Sequence, residues 1–236
     1  TLDVNGAATT ITYADGQKVI LDSVQDSDVA TSVQTLTVAA NKATVAVADI
    51  EIDGVGTAAG AALSIANTGA GVKTLNLTAS GDDSVATFTN TAYTTVNVDG
   101  DAKATLDITA ATALATYDAS AATGDITVDL SSSTKNIDVK GSAGADTVTV
   151  DLAVALTVAT NAGDDVVTLA NGTTGNLTVL DSIDGGEGTD TIAVTAAEAD
   201  SLDGSTKLAQ ITNFEELRIT DDLSAAAVTI DVSKFG

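Results

Sequence analysis

Glycine and aspartate occur together at the turns between short apolar runs of this sequence. The clearest example is the segment Gly185-Gly186-Glu187-Gly188-Thr189-Asp190-Thr191-Ile192-Ala193. Glycine permits backbone conformations that direct carbonyl oxygens inward, and the aspartate supplies a carboxylate directly before the next apolar run. Calcium prefers roughly six to eight oxygen ligands, whereas magnesium keeps its waters and demands stricter geometry. These turns therefore predict calcium binding.

The composition agrees with a site made of oxygen ligands. The 236 residues include no Cys, His, Met, Trp or Pro, so the usual ligands of zinc, copper and iron are missing. Acidic residues number 33 against nine basic ones, for a net charge of −24, and 28 of the acidic residues are Asp. Compact folding at this charge is opposed by self-repulsion, which bound cations would relieve. Solubility in salt is the alternative explanation of the charge.

The same composition excludes several classes of function. Nucleic acid is excluded as a partner because phosphate binding needs clustered Lys and Arg, and Arg218 is the only arginine. We predict that the chain is not an enzyme, because it has no His for acid–base work and no Cys nucleophile. Hydrolysis by two carboxylates would need one distinctive pair, and the sequence singles out none. Membrane insertion is not expected, because no run of about 18 apolar residues occurs.

A short sequence pattern repeats through the middle of the chain. It consists of alternating apolar residues, a polar turn and a second alternating run, which is the pattern of strands and turns. Its first strand begins about every twenty residues. The first strands are Leu75-Asn76-Leu77, Val96-Asn97-Val98, Ile137-Asp138-Val139, Leu156-Thr157-Val158 and Leu177-Thr178-Val179, with Ala115-Thr116-Tyr117 as a degenerate copy.

This period predicts an all-β fold, a parallel β-solenoid with about twenty residues per coil. An antiparallel sandwich is the alternative, since it also has strands every eight to twelve residues or so. The solenoid is favoured because the turn chemistry recurs at every second turn. We assign 63–236 to the solenoid and 1–62, whose turns differ, to an N-terminal cap or small β unit. Thr195-Ala196-Ala197-Glu198 reads as a capping box and predicts a short helix near 196–203.

Four further turns carry candidate metal ligands. Their carboxylates precede the second strand of a coil, and stacking would place equivalent turns above one another. In two of the turns, ordinary turn chemistry is the favoured explanation of Gly next to Asp. The candidates are Asp82 and Asp83, Asp101, Asp146, and Asp164 with Asp165; Asp82, Asp83 and Asp101 belong to the two ordinary turns.

Residues 185–193 resemble the nonapeptide of the RTX repeat proteins, Gly-Gly-x-Gly-x-Asp-x-aliphatic-x, at every position. Residues 141–149 depart from it only by Ser142, and 160–168 keep only its central features. In that family the early turn residues give backbone carbonyls and the Asp gives its carboxylate. The resemblance thus implies that the metal ligands are Gly141, Ala143 and Asp146 in one turn, and Gly185, Glu187 and Asp190 in the other.

The composition of 63–236, which is rich in Ala, Thr, Val and Asp, is similar to that of bacterial surface-layer proteins exported by type I secretion. The segment Asn213-Phe214-Glu215-Glu216-Leu217-Arg218-Ile219 is also similar to a Phe-Glu-x-Leu motif that recurs in them. The resemblance implies a secreted, extracellular protein on a bacterial cell surface that assembles with itself, with cell-surface polysaccharide as a further candidate partner. A calcium-rigidified segment of an adhesin, which would be a binding module, is the alternative.

Overall fold

A computed structural model describes residues 2–3, 9–26, 35–57, 63–69, 71–170, 181–203 and 206–221. In these ranges the chain winds into a parallel β-solenoid. Ten strands form one sheet, nine form a second, and three short strands form a third. All the strand pairs are parallel, as in the pairing of Thr74 with Thr95. The predicted fold class is therefore confirmed.

Short strands make up most of the described chain, with two helical segments near its end. In chain order, the elements are β1 Leu2–Asp3, β2 Thr9–Tyr13, β3 Lys18–Asp22, β4 Val24–Asp26, β5 Thr35–Ala40, β6 Val47–Asp53, β7 Gly56–Thr57, β8 Leu63–Thr68, β9 Thr74–Ala79, β10 Ser84–Phe88, β11 Thr95–Gly100, β12 Ala104–Asp107, β13 Thr116–Ala122, β14 Ile126–Asp129, β15 Ile137–Lys140, β16 Thr147–Asp151, β17 Leu156–Ala159, β18 Val166–Ala170, β19 Ser182–Asp184, β20 Thr191–Val194, α1 Ala196–Asp203, a 3-10 helix Thr206–Gln210, β21 Ile211–Thr212 and β22 Glu216–Ile219.

The strands form because their apolar residues alternate. In β9, Leu75 and Leu77 are buried while Asn76 between them lies on the outer face. The same alternation in every coil lines the interior with files of Val, Leu and Ile, so the core is a thin slab between two sheets. Its aromatic side chains are Tyr13, Phe88, Tyr93, Tyr117 and Phe214.

The coil length varies along the axis. Thr95 pairs with Thr74 on one side and Thr116 on the other, which makes both coils 21 residues long. Coils lengthen toward both ends, as the pairing of Thr35 with Ser64 and of Thr191 with Glu216 shows. The predicted strand 177–179 lies outside the described residues. In the coil that follows β17, the strand that pairs with it is β19, since Thr157 pairs with Ser182.

The two large sheets extend through the part of the chain that was assigned to a cap. β5 pairs with β8 in the ten-stranded sheet, and β6 pairs with β9 in the nine-stranded sheet. β1, β4 and β7 add a third, narrow face to the first coils. The boundary predicted at residue 62 falls at 58–62, outside the described residues, and it stays a prediction.

The predicted helix near 196–203 is confirmed as α1, which interrupts the coil between β20 and β21. Its first turn has the reciprocal bonds of a capping box. The amide of Thr195 donates to Glu198 Oε2 at 2.7 Å, and the amide of Glu198 donates to Thr195 Oγ1 at 3.3 Å. Among the described residues, no helix is long and apolar enough to cross a membrane.

Candidate metal-binding turns

The turns that lead from the nine-stranded sheet into the ten-stranded sheet lie along one edge of the solenoid. We call this the Gly/Asp edge, and it includes 80–83, 101–103, 123–125, 141–146, 160–165, 185–190 and 213–215. In successive coils, the first residues after these turns pair with one another in the ten-stranded sheet. Thr147 pairs with Val166, Val166 with Thr191, and Thr191 with Glu216. The preceding residues, which are Asp146, Asp165, Asp190 and Glu215, therefore form one file.

This file is a hydrogen-bonded ladder of carboxylates. In each step, the backbone amide of one member donates to the carboxylate of the next coil. The amide of Asp146 donates to Asp165 Oδ1 at 2.7 Å, that of Asp165 to Asp190 Oδ1 at 2.8 Å, and that of Asp190 to Glu215 Oε2 at 2.8 Å. Asp146, Asp165 and Asp190 are buried, whereas Glu215 is exposed. We call Asp146, Asp165, Asp190 and Glu215 the carboxylate ladder.

The three buried carboxylates differ in whether their second oxygen, Oδ2, has a hydrogen-bond partner. Asp146 is satisfied within its own turn, because Ser142 donates its amide to Oδ2 at 2.5 Å and its hydroxyl to Oδ1 at 2.7 Å. Asp165 Oδ2 and Asp190 Oδ2 are buried and have no hydrogen-bond partner. A buried acceptor without a partner is costly and calls for an unseen donor or cation.

Burial also sets the proton affinity of the ladder. It is the largest influence on all three buried carboxyls, and it raises the pKa of Asp165 to about 7. Burial likewise raises the pKa of Asp146, although hydrogen bonds from Ser142 oppose the change. The pKa of Asp190 is raised by burial and, further, by the negative charge of Glu215. An adjacent cation would favour the ionised forms and lower these pKa values.

Three of the four backbone carbonyls implied as ligands already accept hydrogen bonds from the next or previous coil. The carbonyl of Gly141 accepts from Asn161 Nδ2 at 2.6 Å, and that of Gly185 accepts from Thr160 Oγ1 at 2.5 Å. The carbonyl of Glu187 accepts from the amide of Gly163 at 2.9 Å. Each carbonyl oxygen has a second lone pair, so these bonds do not prevent a metal contact. The fourth, Ala143, lies in an exposed position.

The glycines of the best-matching turn have a packing role. Gly186 has a φ of 92° and faces the carbonyl of Asn161, and a side chain there would collide with that backbone. Gly188, with a φ of 145°, likewise faces the carbonyl of Gly163. Glycine at these positions lets the turn 185–190 stack directly on 160–165.

The remaining candidates lie outside the ladder. Asp164 is exposed, and its Oδ1 accepts the amide of Thr189 at 2.9 Å. Asp82, Asp83 and Asp101 are also exposed, several coils away from Asp165 and Asp190. The structure therefore brings together Asp146, Asp165 and Asp190 from the predicted set. Asp164 lies beside them on the exposed side of the edge, and Asp82, Asp83 and Asp101 lie away from them.

Sequence reasoning missed two members of the arrangement. Glu215 completes the ladder although its turn, Asn213-Phe214-Glu215, lacks the Gly-x-Asp pattern. Ser142 was seen only as a departure from the nonapeptide, and its place four residues before Asp146 is the signal that could have shown its role. No group of three or more acidic side chains in the described part of the chain is arranged to hold a metal. A metal would need backbone and water oxygens as well.

Comparison with known proteins assigns no relative. No family model, curated protein or solved structure matches the chain.

Proposed function

We propose that this chain is an extracellular structural protein that assembles with itself into a calcium-stabilised surface layer or filament. The observation that carries the proposal is the pair of buried carboxylate oxygens without a partner, Asp165 Oδ2 and Asp190 Oδ2, in adjacent turns. A calcium ion would satisfy them both and would supply charge neutralisation and cross-linking of coils.

The donor set of these turns fits a hard cation. Asp165 and Asp190 would contribute carboxylate oxygens, and the carbonyls of Gly185 and Glu187 lie in the same stacked turns. Water would supply the remaining ligands, as is common for calcium. Magnesium fits less well, because it requires a near-octahedral shell that two buried carboxylates in closely stacked turns do not offer.

The turn 141–146 is a weaker site on this account. The backbone amide and the hydroxyl of Ser142 donate to the two carboxylate oxygens of Asp146, so neither oxygen needs a cation as its partner. Calcium is therefore expected between 160–165 and 185–190, and the Ser142 turn stacks on this region without requiring an ion of its own.

The charge of the chain supports a role for cations in folding and assembly. A net charge of −24 opposes both the compact fold and contact between copies. Calcium reduces both penalties, and its low concentration in the cytosol would delay folding until export.

The open shape of the solenoid supports self-assembly. Among the described strands, the sheets begin with β2 and β3 and end with β22 and β21, and each of these four has one neighbour in its sheet. Strands at a sheet edge are templates for pairing with another chain. Head-to-tail contacts between identical copies propagate into filaments or layers when they do not close.

Electron microscopy and sedimentation with calcium and with EGTA test the proposal. We expect ordered assemblies in calcium that disperse after chelation and form less readily with Asp190→Ala. An exposed-site variant, Asp15→Ala, is the matched control and should assemble normally. Assemblies that persist after chelation would contradict a calcium-driven lattice. A calcium-bound protein that stays monomeric would instead fit the segment of an adhesin.

A further inference from the structure

A polar groove of about 380 Å³ lies on the outer face of the nine-stranded sheet, across β9, β11 and β13. It lies on coils that precede those of the Gly/Asp edge turns 160–165 and 185–190. Its volume is within the range of ligand-binding clefts, roughly 300–1,000 Å³. Side chains that point outward from three neighbouring strands supply its polar lining, namely Asn76, Thr78, Asn97, Asp99, Asp118 and Ser120.

An irregularity in strand pairing shapes the groove. Asn97 pairs with Asp118, but Asp99 pairs with Ala121, so β13 has an extra residue opposite β11. Ser120 and Ala121 are consequently both exposed, although they are consecutive in a strand. A bulge of this kind redirects side chains and is common next to binding sites.

A chain of amide hydrogen bonds fixes the floor of the groove. Asn76 Nδ2 donates to Asp49 Oδ1 at 2.7 Å, and Asn97 Nδ2 donates to Asn76 Oδ1 at 2.8 Å. This orientation directs the Asn97 amide oxygen toward the next strand. Each amide also retains a second N–H, so the groove presents donors and acceptors on strands about 4.8 Å apart.

The charges on the groove limit the ligand. Asp99 and Asp118 would repel an anion. A metal cation is disfavoured, because Lys140 Nζ lies 3.0 Å from Asp118 Oδ2 and the amide and hydroxyl of Ser120 occupy Oδ1. An apolar ligand would leave the amides and carboxylates without partners. Neutral molecules with several hydroxyl groups satisfy all of these groups.

We propose that this groove binds a neutral carbohydrate. Adjacent hydroxyls of a sugar ring would donate to Asp99 and to the Asn97 amide oxygen, and would accept from the free N–H groups of Asn76 and Asn97. With no aromatic ring among the groove residues to stack on the sugar, affinity should be roughly millimolar per sugar unit. Repetition of the protein in an assembly would raise the overall avidity. The inference does not depend on calcium binding.

The test is an NMR titration of the full chain in calcium with neutral hexose and N-acetylhexosamine disaccharides, and separately with a sulfated disaccharide. We expect the neutral sugars to shift the side-chain amide signals of Asn76 and Asn97 and the backbone signals near Ser120. Asn97→Ala should weaken binding at least tenfold, and the sulfated sugar should bind more weakly.

Thr157→Ala, on the same outer face but away from the groove, is the matched control and should bind as the unchanged protein does. Equal melting temperatures of both variants would show that the fold is intact. The proposal is overturned if no neutral disaccharide shifts the groove signals at tens of millimolar, or if Asn97→Ala binds equally well. It is also overturned if calcium added to the calcium-free protein in a separate titration saturates the same signals, since that would identify a cation site.

Discussion

Two turns of the Gly/Asp edge, 141–146 and 185–190, have almost the same sequence pattern but differ in the hydrogen bonds to their buried carboxylates. In the first, the amide and hydroxyl of Ser142 bond to Asp146. In the second, Gly186 replaces the serine, and Asp190 Oδ2 has no partner. The backbone amide of Ser142 reaches Asp146 Oδ2, whereas the amide of Gly186 donates to Asp184 Oδ1 at 3.1 Å and leaves Asp190 Oδ2 without a partner.

The burial of a carboxylate and its local partners matter more for these turns than the number of acidic residues. Asp164 and Asp165 are consecutive, yet only Asp165 is buried in the ladder, with the pKa of its carboxyl raised to about 7. Exposed acidic residues on the same edge can stay hydrated and need no cation. Substitutions of buried and exposed members of this edge can test the difference.

The largest effect is expected from Asp190→Ala. It removes an unpartnered carboxylate, but it also leaves the amide of Asp165 without its acceptor, which costs about 1–3 kcal/mol. Loss of a saturating ion would remove about 2–3 kcal/mol more. Urea unfolding in calcium should thus show a loss of about 4 kcal/mol, whereas Asp15→Ala should change stability by less than about 0.5 kcal/mol. Equal losses in both variants would contradict the assignment.

The second effect is a dependence on pH in the calcium-free protein. The pKa of Asp165 is about 7 in the folded state against an ordinary value of 3.8, so the folded protein binds the proton more tightly. Stability should therefore fall as the pH rises from about 4 to 7, by on the order of 1 kcal/mol per pH unit from this group. Unfolding at pH 5 and pH 7 should show this fall, and saturating calcium should reduce it. If Asp165→Asn has the same slope without calcium, Asp165 is not its source.

Ser142→Gly should give the first turn the sequence pattern of the second and remove the hydroxyl bond to Asp146 Oδ1, while the amide of residue 142 still donates to Oδ2. Without calcium, Asp146 loses the Ser142 hydroxyl, and the free energy of unfolding should decrease by about 1–2 kcal/mol. Calcium should restore part of that loss, since the turn then matches the nonapeptide fully. Thermal melts with and without calcium measure this gain. A calcium response identical to that of the unchanged protein would indicate that the serine does not replace an ion.

The smallest effect is expected from Asp164→Ala. This carboxylate is exposed and accepts one amide bond from Thr189, so its loss should cost about 0.5–1 kcal/mol. Calcium affinity should decrease by less than about threefold, through the weaker long-range field alone. A loss of affinity as large as that of Asp190→Ala would place Asp164 among the direct ligands.

Much of the fold could be predicted because apolar alternation is a local signal. Leu75 with Leu77 and Val96 with Val98 mark their strands and inner face directly, and Thr195 with Glu198 marks the helix start. The lengths of the coils at the two ends could not be predicted, since a turn can lengthen without altering the stacked apolar side chains of the core. The strand that pairs with β17 begins at Ser182, later than the period of twenty indicated.

The site was predicted less completely than the fold. The Gly-x-Asp pattern led to Asp146, Asp165 and Asp190, and stacking of equivalent turns suggested that they would meet. The bonds between them depend on strand register, which the sequence does not specify residue by residue. Glu215 reaches the ladder through that register alone.

Calorimetric titration of the decalcified protein with calcium tests the central claim most directly. The unchanged protein should bind calcium with release of protons near pH 7, because Asp165 must ionise. The double variant Asp165→Asn, Asp190→Asn should lose this binding, while Asp82→Asn with Asp101→Asn, two exposed aspartates of the same edge, should retain it. Binding that is unchanged in the first variant, or absent from the unchanged protein, would contradict a calcium site between these turns.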